Sequence, residues 1–394
     1  VSVAERWALD RLARRLRCGS LCVRFADGSV RTYRAPAPGP SAVVELRDER
    51  LLRRLAATGA IGLADGWIAG EFGSPDLASV IELGALHLEP SHRPRPPVVA
   101  ERLGRAVWNA IGGASAPRGP LRTTVQHYDL GNEFFQAWLD RSMTYSSAVF
   151  SRSDMTLEEA QREKYRRIAA AGGLRSGMRV LEIGSGWGGF AVYAAGELGC
   201  SVTTVTVSEE QATWVEKLVA ERGIADRVEV RLEDFARTPG VYDAIVSIEM
   251  IESIPRTRWP EYFRALEARL VPDGRIGLQA ITVADRHWAS SNANPDFIRR
   301  YVFPGGQVPS PRILRTDAAA AGLRLMARAA YGSSYALTLA EWRRRFDVAW
   351  PRIAELGFDE RFRRMWQYYL SYCEGGFRAG RTDVSQLVLT HRAT

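Results

Sequence analysis

Val180-Leu-Glu-Ile-Gly-Ser-Gly-Trp-Gly-Gly189 decides the fold. A short apolar run ends in a glycine cluster, and a helix-like segment, Phe190 to Leu198, follows. That order predicts a strand, a tight turn and a helix N-terminus. Gly184 and Gly186 let a ligand reach the backbone where a Cβ would intervene, and the first N–H groups of a helix lack intrahelical partners. Nucleotide-type cofactors bind at such turns in open parallel sheets. A glycine turn that only packs helix on strand is the alternative.

Gly184-x-Gly186-x-x-Gly189 also fits the dinucleotide fingerprint. Two features point instead to S-adenosylmethionine. Glu182 sits inside the strand, where methyltransferases often carry an acid. The next strand, Ser201 to Val207, ends in Thr206-Val207-Ser208, not in the lone acid expected for a ribose. Glu209 and Glu210 then read as a helix first turn capped by Ser208, with Gln211 at its third position.

Outward from this turn, strand and helix patterns alternate. Strands are expected at Val180–Ile183, Ser201–Val207, Val228–Leu232, Ala244–Ile248 and Arg275–Ile281. The alternation predicts an α/β, doubly wound parallel sheet with its ligands at the carboxyl ends of the strands. Helices at Leu339–Ala354 and Glu360–Arg378 precede a last strand at Ser385–Thr390. They form a late helical insertion placed to cover the site. Ahead of this unit, residues 1–88 read as a small α+β domain. Ala4–Leu16 reads as a basic amphipathic helix, fit either to lie on a membrane or to pack on its own domain. Leu21–Phe25 and Val30–Tyr33 alternate around Asp27-Gly28, a hairpin signal. Pro90, Pro94, Pro96 and Pro97 mark a linker, taken as 89–120, before the larger domain 121–394.

The chain of 394 residues is 46% hydrophobic and 25% charged, the composition of a globular protein. No apolar run approaches the ~20 residues that span a bilayer. The N-terminus lacks the apolar core of a signal peptide, and four scattered cysteines fit a reduced, cytosolic setting. The net charge of +8 suits an anionic partner or plain solubility. The five histidines form no ligand-spaced cluster, so no metal is expected.

Several further segments combine with the glycine turn. They are Gln126-His-Tyr-Asp-Leu-Gly-Asn132, Met143-Thr-Tyr-Ser146, Ser247-Ile-Glu-Met-Ile-Glu252, Tyr301-Val-Phe-Pro-Gly-Gly306 and Trp366-Gln-Tyr-Tyr-Leu370 with Cys373. Together they resemble the cyclopropane-fatty-acid synthase family of S-adenosylmethionine-dependent methyltransferases, from about Val125 to the C-terminus. Residues 1–88 look, more loosely, like the N-terminal domain of the phospholipid-acting members. The resemblance implies a class I, Rossmann-like methyltransferase fold. It implies cofactor contacts from Tyr128, Tyr145, Ser146, Glu182, Gly184, Gly186, Gly188, Thr206, Val207 and Gln211, with Glu233 and Asp234 near the adenine. It further implies an unsaturated phospholipid substrate, a cytoplasmic enzyme peripheral to the inner membrane face, and a homodimer.

The chemistry needs little acid–base work at first. The methyl sulfonium is a strong electrophile, and a cis alkene held in line attacks it. Attack leaves a carbocation, which the faces of Trp366, Tyr368, Tyr369 and Tyr372 can stabilise. A base must then take a proton from the new methyl group to close the ring. The resemblance implies that this base is a bound bicarbonate, held by a cysteine, a glutamate, a histidine, a tyrosine and a backbone group. Here the cysteine is Ser147, the histidine is Gln279, and the residue after the glutamate is Ser253, while Glu252, Ile281 and Tyr335 keep the pattern. Gln and Ser can still donate to an anion. Alternatively Glu252 is itself the base, or a hydride shift comes first and the product is a methylene- or methyl-branched chain. Cys373 matches a cysteine long regarded as an active-site residue, though it fits a packing role equally. Two other readings stay open: a methyltransferase of nucleic acid or a small molecule, and a non-catalytic lipid-binding relative. The chain lacks the Asn-Pro-Pro-Tyr-type motif of amino-directed DNA enzymes, so no nucleic acid is expected.

Overall fold

The computed structural model describes residues 9–11, 13–87, 130–293 and 296–392. The expected linker and Tyr128 lie outside the described residues, as do residues 4–8 and 12 of the expected Ala4–Leu16 helix. Of that helix, Asp10 accepts hydrogen bonds from Arg31 and Tyr33, which ties it to the first sheet.

That sheet is four-stranded, in the order β2-β1-β3-β4. β1 (Cys18–Arg24) and β2 (Val30–Arg34) form the expected antiparallel hairpin. β3 (Ala37–Leu46) was not expected, because Pro38 and Pro40 interrupt its pattern; it runs parallel to β1. Helices α1 (Arg50–Thr58) and α2 (Ala60–Ile68) lead to β4 (Phe72–Gly73) and α3 (Leu77–His87).

The second unit opens with α4 (Asn132–Gln136) and α5 (Leu157–Ala171). The glycine stretch then gives β5 (Arg179–Ile183) and α6 (Gly189–Val192). β6 (Ser201–Thr206), α7 (Glu209–Glu221), β7 (Val228–Leu232), β8 (Tyr242–Ile248), α8 (Trp259–Ala268) and β9 (Leu270–Val283) continue the alternation. After α9 (Asp285–Ala293) and α10 (Pro311–Ala320) come β10 (Leu323–Ala330), α11 (Gly332–Glu355), α12 (Glu360–Arg378) and β11 (Thr382–His391). β5 and β8 carry almost unbroken runs of buried apolar residues, as strands covered on both faces must.

The seven strands follow the order β10-β11-β9-β8-β5-β6-β7. The sheet is therefore mixed, and the expectation of a parallel sheet is corrected at one edge. β11 inserts between β9 and β10 and is antiparallel to both. β10 was missed because it is an edge strand, with only Leu323 fully buried. Helices α11 and α12 fall between β10 and β11, so the chain leaves the sheet, crosses its carboxyl end and returns.

The two units share one core. Phe72, Trp67 and Ile81 belong to the same buried cluster as Phe134, Trp138 and Trp366. α3 lies so close to α12 that a Cβ on Gly375 would sit 2.8 Å from the Ala78 carbonyl oxygen. Arg364 of α12 donates to the Trp67 and Phe72 carbonyls and lies 4.5 Å over the Trp67 ring. The Trp67 indole donates back to the Arg364 carbonyl at 2.9 Å. Arg364→Ala removes two charge-assisted bonds and is expected to cost about 2–4 kcal/mol. Urea unfolding followed by tryptophan fluorescence checks this; an unchanged midpoint would mean that the units dock without it.

Candidate functional site

The carboxyl ends of β5 to β8 open into one cleft. At the end of β5 the chain turns through Gly184 (φ 92°), Gly186 (φ 49°) and Gly188 (φ 85°). Gly184 and Ser185 both donate their N–H to the Val205 carbonyl, at 3.0 and 3.1 Å, which fixes the turn against β6. Tyr145, Ser146, Glu182, Gly184, Gly186, Thr206, Val207, Gln211, Glu233 and Asp234 all line this cleft. Gly188 does not. Its missing Cβ faces Val215 of α7, 3.1 Å from Cγ1, so its role is the close approach of turn and helix.

The lining groups are held individually. Ser208 caps α7 by accepting from the Gln211 N–H, as expected, and Thr206 donates to the Gln211 side chain at 2.8 Å. Glu182 accepts from Thr204 at 2.6 Å, and burial pushes its carboxyl up to about 8. Asp234 is gripped by both terminal nitrogens of Arg258 at 2.8 and 2.9 Å. Burial alone would raise the Asp234 carboxyl, but Arg258 and the Ala236 N–H hold it below its ordinary value. Arg258 also lies 4.7 Å over Phe235. Arg258, Phe235, Trp187 and Met250 line the cleft without having been foreseen.

The loop before α5 supplies Tyr145 and Ser146. Asp140 accepts from the Ser142 and Thr144 N–H groups, and Met143 takes a left-handed φ of 54°. The Tyr145 hydroxyl meets that of Tyr369 on α12 at 2.8 Å. Behind Ser146, the Lys164 ammonium is wholly buried and donates to the serine hydroxyl at 2.7 Å. Desolvation pushes Lys164 down to about 7, against the pull of Glu249, Asp140 and Glu182. The sequence shows only a lysine in a charged helix, and nothing in its spacing marks it as buried.

The largest departure concerns the carboxylate on which Ser147, Gln279 and Tyr335 converge. It belongs to Glu249, not to Glu252. Glu249 Oε1 accepts from the Ser147 N–H at 2.9 Å and from Gln279 Nε2 at 2.8 Å. Its Oε2 accepts from the Tyr335 hydroxyl at 2.8 Å. Gln279 is aligned by Gln386, which donates to its carbonyl oxygen at 3.0 Å. Burial raises the Glu249 carboxyl, while Gln279, Lys164, Ser147 and Tyr335 pull it back. Burial first, then the Glu249 charge, lifts the Tyr335 hydroxyl well above its ordinary value. Glu252 lies beside this group. One oxygen accepts from the Ile281 N–H, and among the described residues the other has no partner. Burial first, then the charge of Glu249, pushes the Glu252 carboxyl up to about 8, so it is largely protonated at neutral pH. The expected donors Gln279 and Tyr335 are thus already spent on the Glu249 side chain, the Ile281 N–H on Glu252, and the Ser147 hydroxyl on the Ala148 carbonyl. A second anion there would lack partners and face the Glu249 charge, so these residues do not fit one.

Burial, then the charge of Asp296, pushes the Cys373 thiol up, and the half-buried side chain packs against the core of the late helices. Trp366 and Tyr368 are buried among other rings, Trp366 5.0 Å from Phe134 and Tyr368 4.7 Å from Phe297.

Residues 117–387 match the family model described as mycolic acid cyclopropane synthetase. The chain is 36% identical to the tuberculostearic acid methyltransferase UfaA1 of Mycobacterium tuberculosis, over 93% of this chain and 86% of that one. It is 32% identical to the cyclopropane-fatty-acyl-phospholipid synthase of Escherichia coli, over 88% of this chain and 87% of that one. Among solved structures it resembles the mycolic acid cyclopropane synthase CmaA1 complexed with SAH and CTAB, with a TM-score of 0.65 at 30% identity, covering 69% of this chain and 99% of that one. Coclaurine N-methyltransferase bound to SAH, at 19% identity and a TM-score of 0.66 over 84% of this chain and 99% of that one, shares the fold.

Proposed function

Because this chain belongs to the mycolic acid cyclopropane synthetase family of S-adenosylmethionine-dependent methyltransferases, we propose that it methylates the double bond of an unsaturated acyl chain in a phospholipid and closes it to a cyclopropane. One observation carries the reading: the glycine turn and Glu249 line the same cleft, and Tyr369 of α12 and Tyr335 of α11 bond to Tyr145 and Glu249 at its edge. Bound S-adenosylmethionine supplies an electrophilic methyl group. In this reading Gly184 and Gly186 admit it to the backbone, and Tyr145, Ser146, Thr206, Val207 and Gln211 hold it. Glu182 takes its amino acid end, and Glu233 and Asp234 flank the adenine. Tyr335, Gln279 and Ser147 fix the carboxylate that faces the methylated chain.

The phospholipid substrate is supported by the span of the match to the Escherichia coli synthase, which reaches into residues 1–88. We assign 1–88 to the membrane surface, 89–120 to a linker and 121–394 to catalysis. Among the described residues no helix is long and apolar enough to cross a membrane, and the net charge of +8 favours an anionic surface. The reading includes a cytoplasmic enzyme on the inner membrane face, working as a homodimer, which sedimentation velocity measures.

A second product has support from the match to the protein named tuberculostearic acid methyltransferase. Loss of a proton from the same methyl group, after a hydride shift, leaves a methylene branch in place of a ring. Expression in a host lacking its own synthase, with lipid analysis by gas chromatography–mass spectrometry, tests both. The expected product is one CH₂ heavier with ring fragmentation. The same gain with a branch selects the second product. No gain, with the cofactor bound, would end the lipid reading.

A further inference from the structure

We infer that Glu249 is the proton acceptor of this reaction, taking the place of any external anion. The inference rests on the proposed acyl-chain methylation and adds the base to it. Four observations carry it. The Glu249 side chain collects the Ser147 N–H, the Gln279 amide and the Tyr335 hydroxyl. Its own N–H donates to the Gln279 carbonyl at 2.8 Å, so backbone and side chain are pinned to β9 together. It takes a left-handed φ of 51°, which a non-glycine residue holds only where its surroundings impose it. It lines the cleft of the glycine turn, and Glu252 does not.

The arrangement suits proton removal. Among the described residues Oε1 accepts two hydrogen bonds, whereas Oε2 accepts that of Tyr335 alone and keeps a lone pair. Lys164 is the buried cation nearest in effect, and it favours the ionised form. In the step, the alkene π pair forms a bond to the methyl carbon as the carbon–sulfur bond breaks, its pair staying on sulfur. The adjacent acyl carbon becomes cationic. A C–H bond of the new methyl group then gives its proton to Glu249 Oε2, and its electron pair closes the ring onto the cation. Glu249 ends neutral and returns the proton to water when the product leaves. No oxidant or reductant is needed.

The test uses the full chain, S-adenosylmethionine and vesicles of an unsaturated phospholipid, in buffer stripped of carbon dioxide and again with added bicarbonate or formate. The wild-type rate is expected to be the same in both. Glu249→Ala, which empties the pocket, is expected to lose activity by about a hundred-fold or more. Bicarbonate or formate should restore part of it, and calorimetry should show cofactor binding retained. Glu249→Gln, which fills the pocket with a neutral group, should be equally slow and beyond rescue. A wild-type rate that falls without carbon dioxide and returns with bicarbonate overturns the inference but leaves the function standing. A wild type that makes no methylated lipid removes the function and the inference with it. A loss in Glu249→Ala that neither anion repairs makes the residue a structural prop and also overturns it. Should Glu249→Ala fail to bind cofactor, Glu249→Gln decides: inactivity with cofactor bound supports the inference, and a wild-type rate overturns it.

Discussion

Gly184→Val is expected to weaken S-adenosylmethionine binding by about a hundred-fold or more, a loss of at least ~2.7 kcal/mol, in a chain that still folds. Two effects act together. The residue sits at φ 92°, a region closed to a β-branched side chain, and the strain is on the order of 1–3 kcal/mol. The added Cβ would stand 3.2 Å from Met250 Cγ, and the methyl groups beyond it would enter the cleft that the turn lines. Calorimetry with S-adenosylmethionine or S-adenosylhomocysteine measures the loss. Gly188→Ala provides the contrast, since its Cβ meets Val215 and not the cleft. It should lower the melting temperature and leave the affinity nearly intact. Equal affinities for Gly184→Val and the wild type would mean that the cofactor does not approach this backbone.

That contrast shows what the sequence could and could not disclose. Glycine spacing announces a turn, and the turn is there. Which glycine faces ligand and which faces a helix depends on where α7 lies, and no local pattern encodes that. The β5–β9 alternation was legible because β5 and β8 are apolar runs, β6 and β7 are short stretches rich in β-branched residues, and longer helical segments separate them. α12 was legible to its ends because Asp359 accepts from the Phe362 N–H and caps it. β10 and β3 were not legible, because an exposed edge strand and a proline-interrupted one lack the hydrophobic signal on which such readings depend.

Glu249 and Glu252 are the sharper case. Ser247-Ile-Glu-Met-Ile-Glu252 offers two carboxylates three positions apart, and family pattern favours the second. The left-handed turn at Glu249 brings the first one to Ser147, Gln279 and Tyr335. Those partners come from a loop, a strand and a late helix, 102, 30 and 86 residues from Glu249 along the chain, so only the folded sheet brings them together. Lys164 was hidden for the same reason: burial behind Ser146 is a property of packing, not of its helix.

The protonation of Glu252 gives the second large effect. Its carboxyl, ordinarily near 4.5, stands at about 8 in the fold. Between these values the native state keeps a proton that the unfolded chain has released. The contribution to stability is therefore full below 4.5 and is lost as pH rises through about 8. The slope approaches ~1.4 kcal/mol per pH unit inside that window. Glu252→Gln has no proton to lose, and its amide oxygen can still accept from the Ile281 N–H. Urea unfolding at a series of pH values from 4.5 to 7 should show the variant gaining on the wild type at every step, with a ceiling near ~3 kcal/mol by pH 7. Glu182 falls in the same direction in both proteins and cancels in the difference. Lys164, lowered from 10.5 to about 7, makes stability rise with pH above 7, so the comparison stops there. Parallel curves would mean that Glu252 is ionised in the fold. The Glu249 charge is the second cause of the Glu252 shift, after burial, so Glu249→Ala should shrink the difference. A difference untouched by that substitution would place the charge of the pair somewhere other than Glu249.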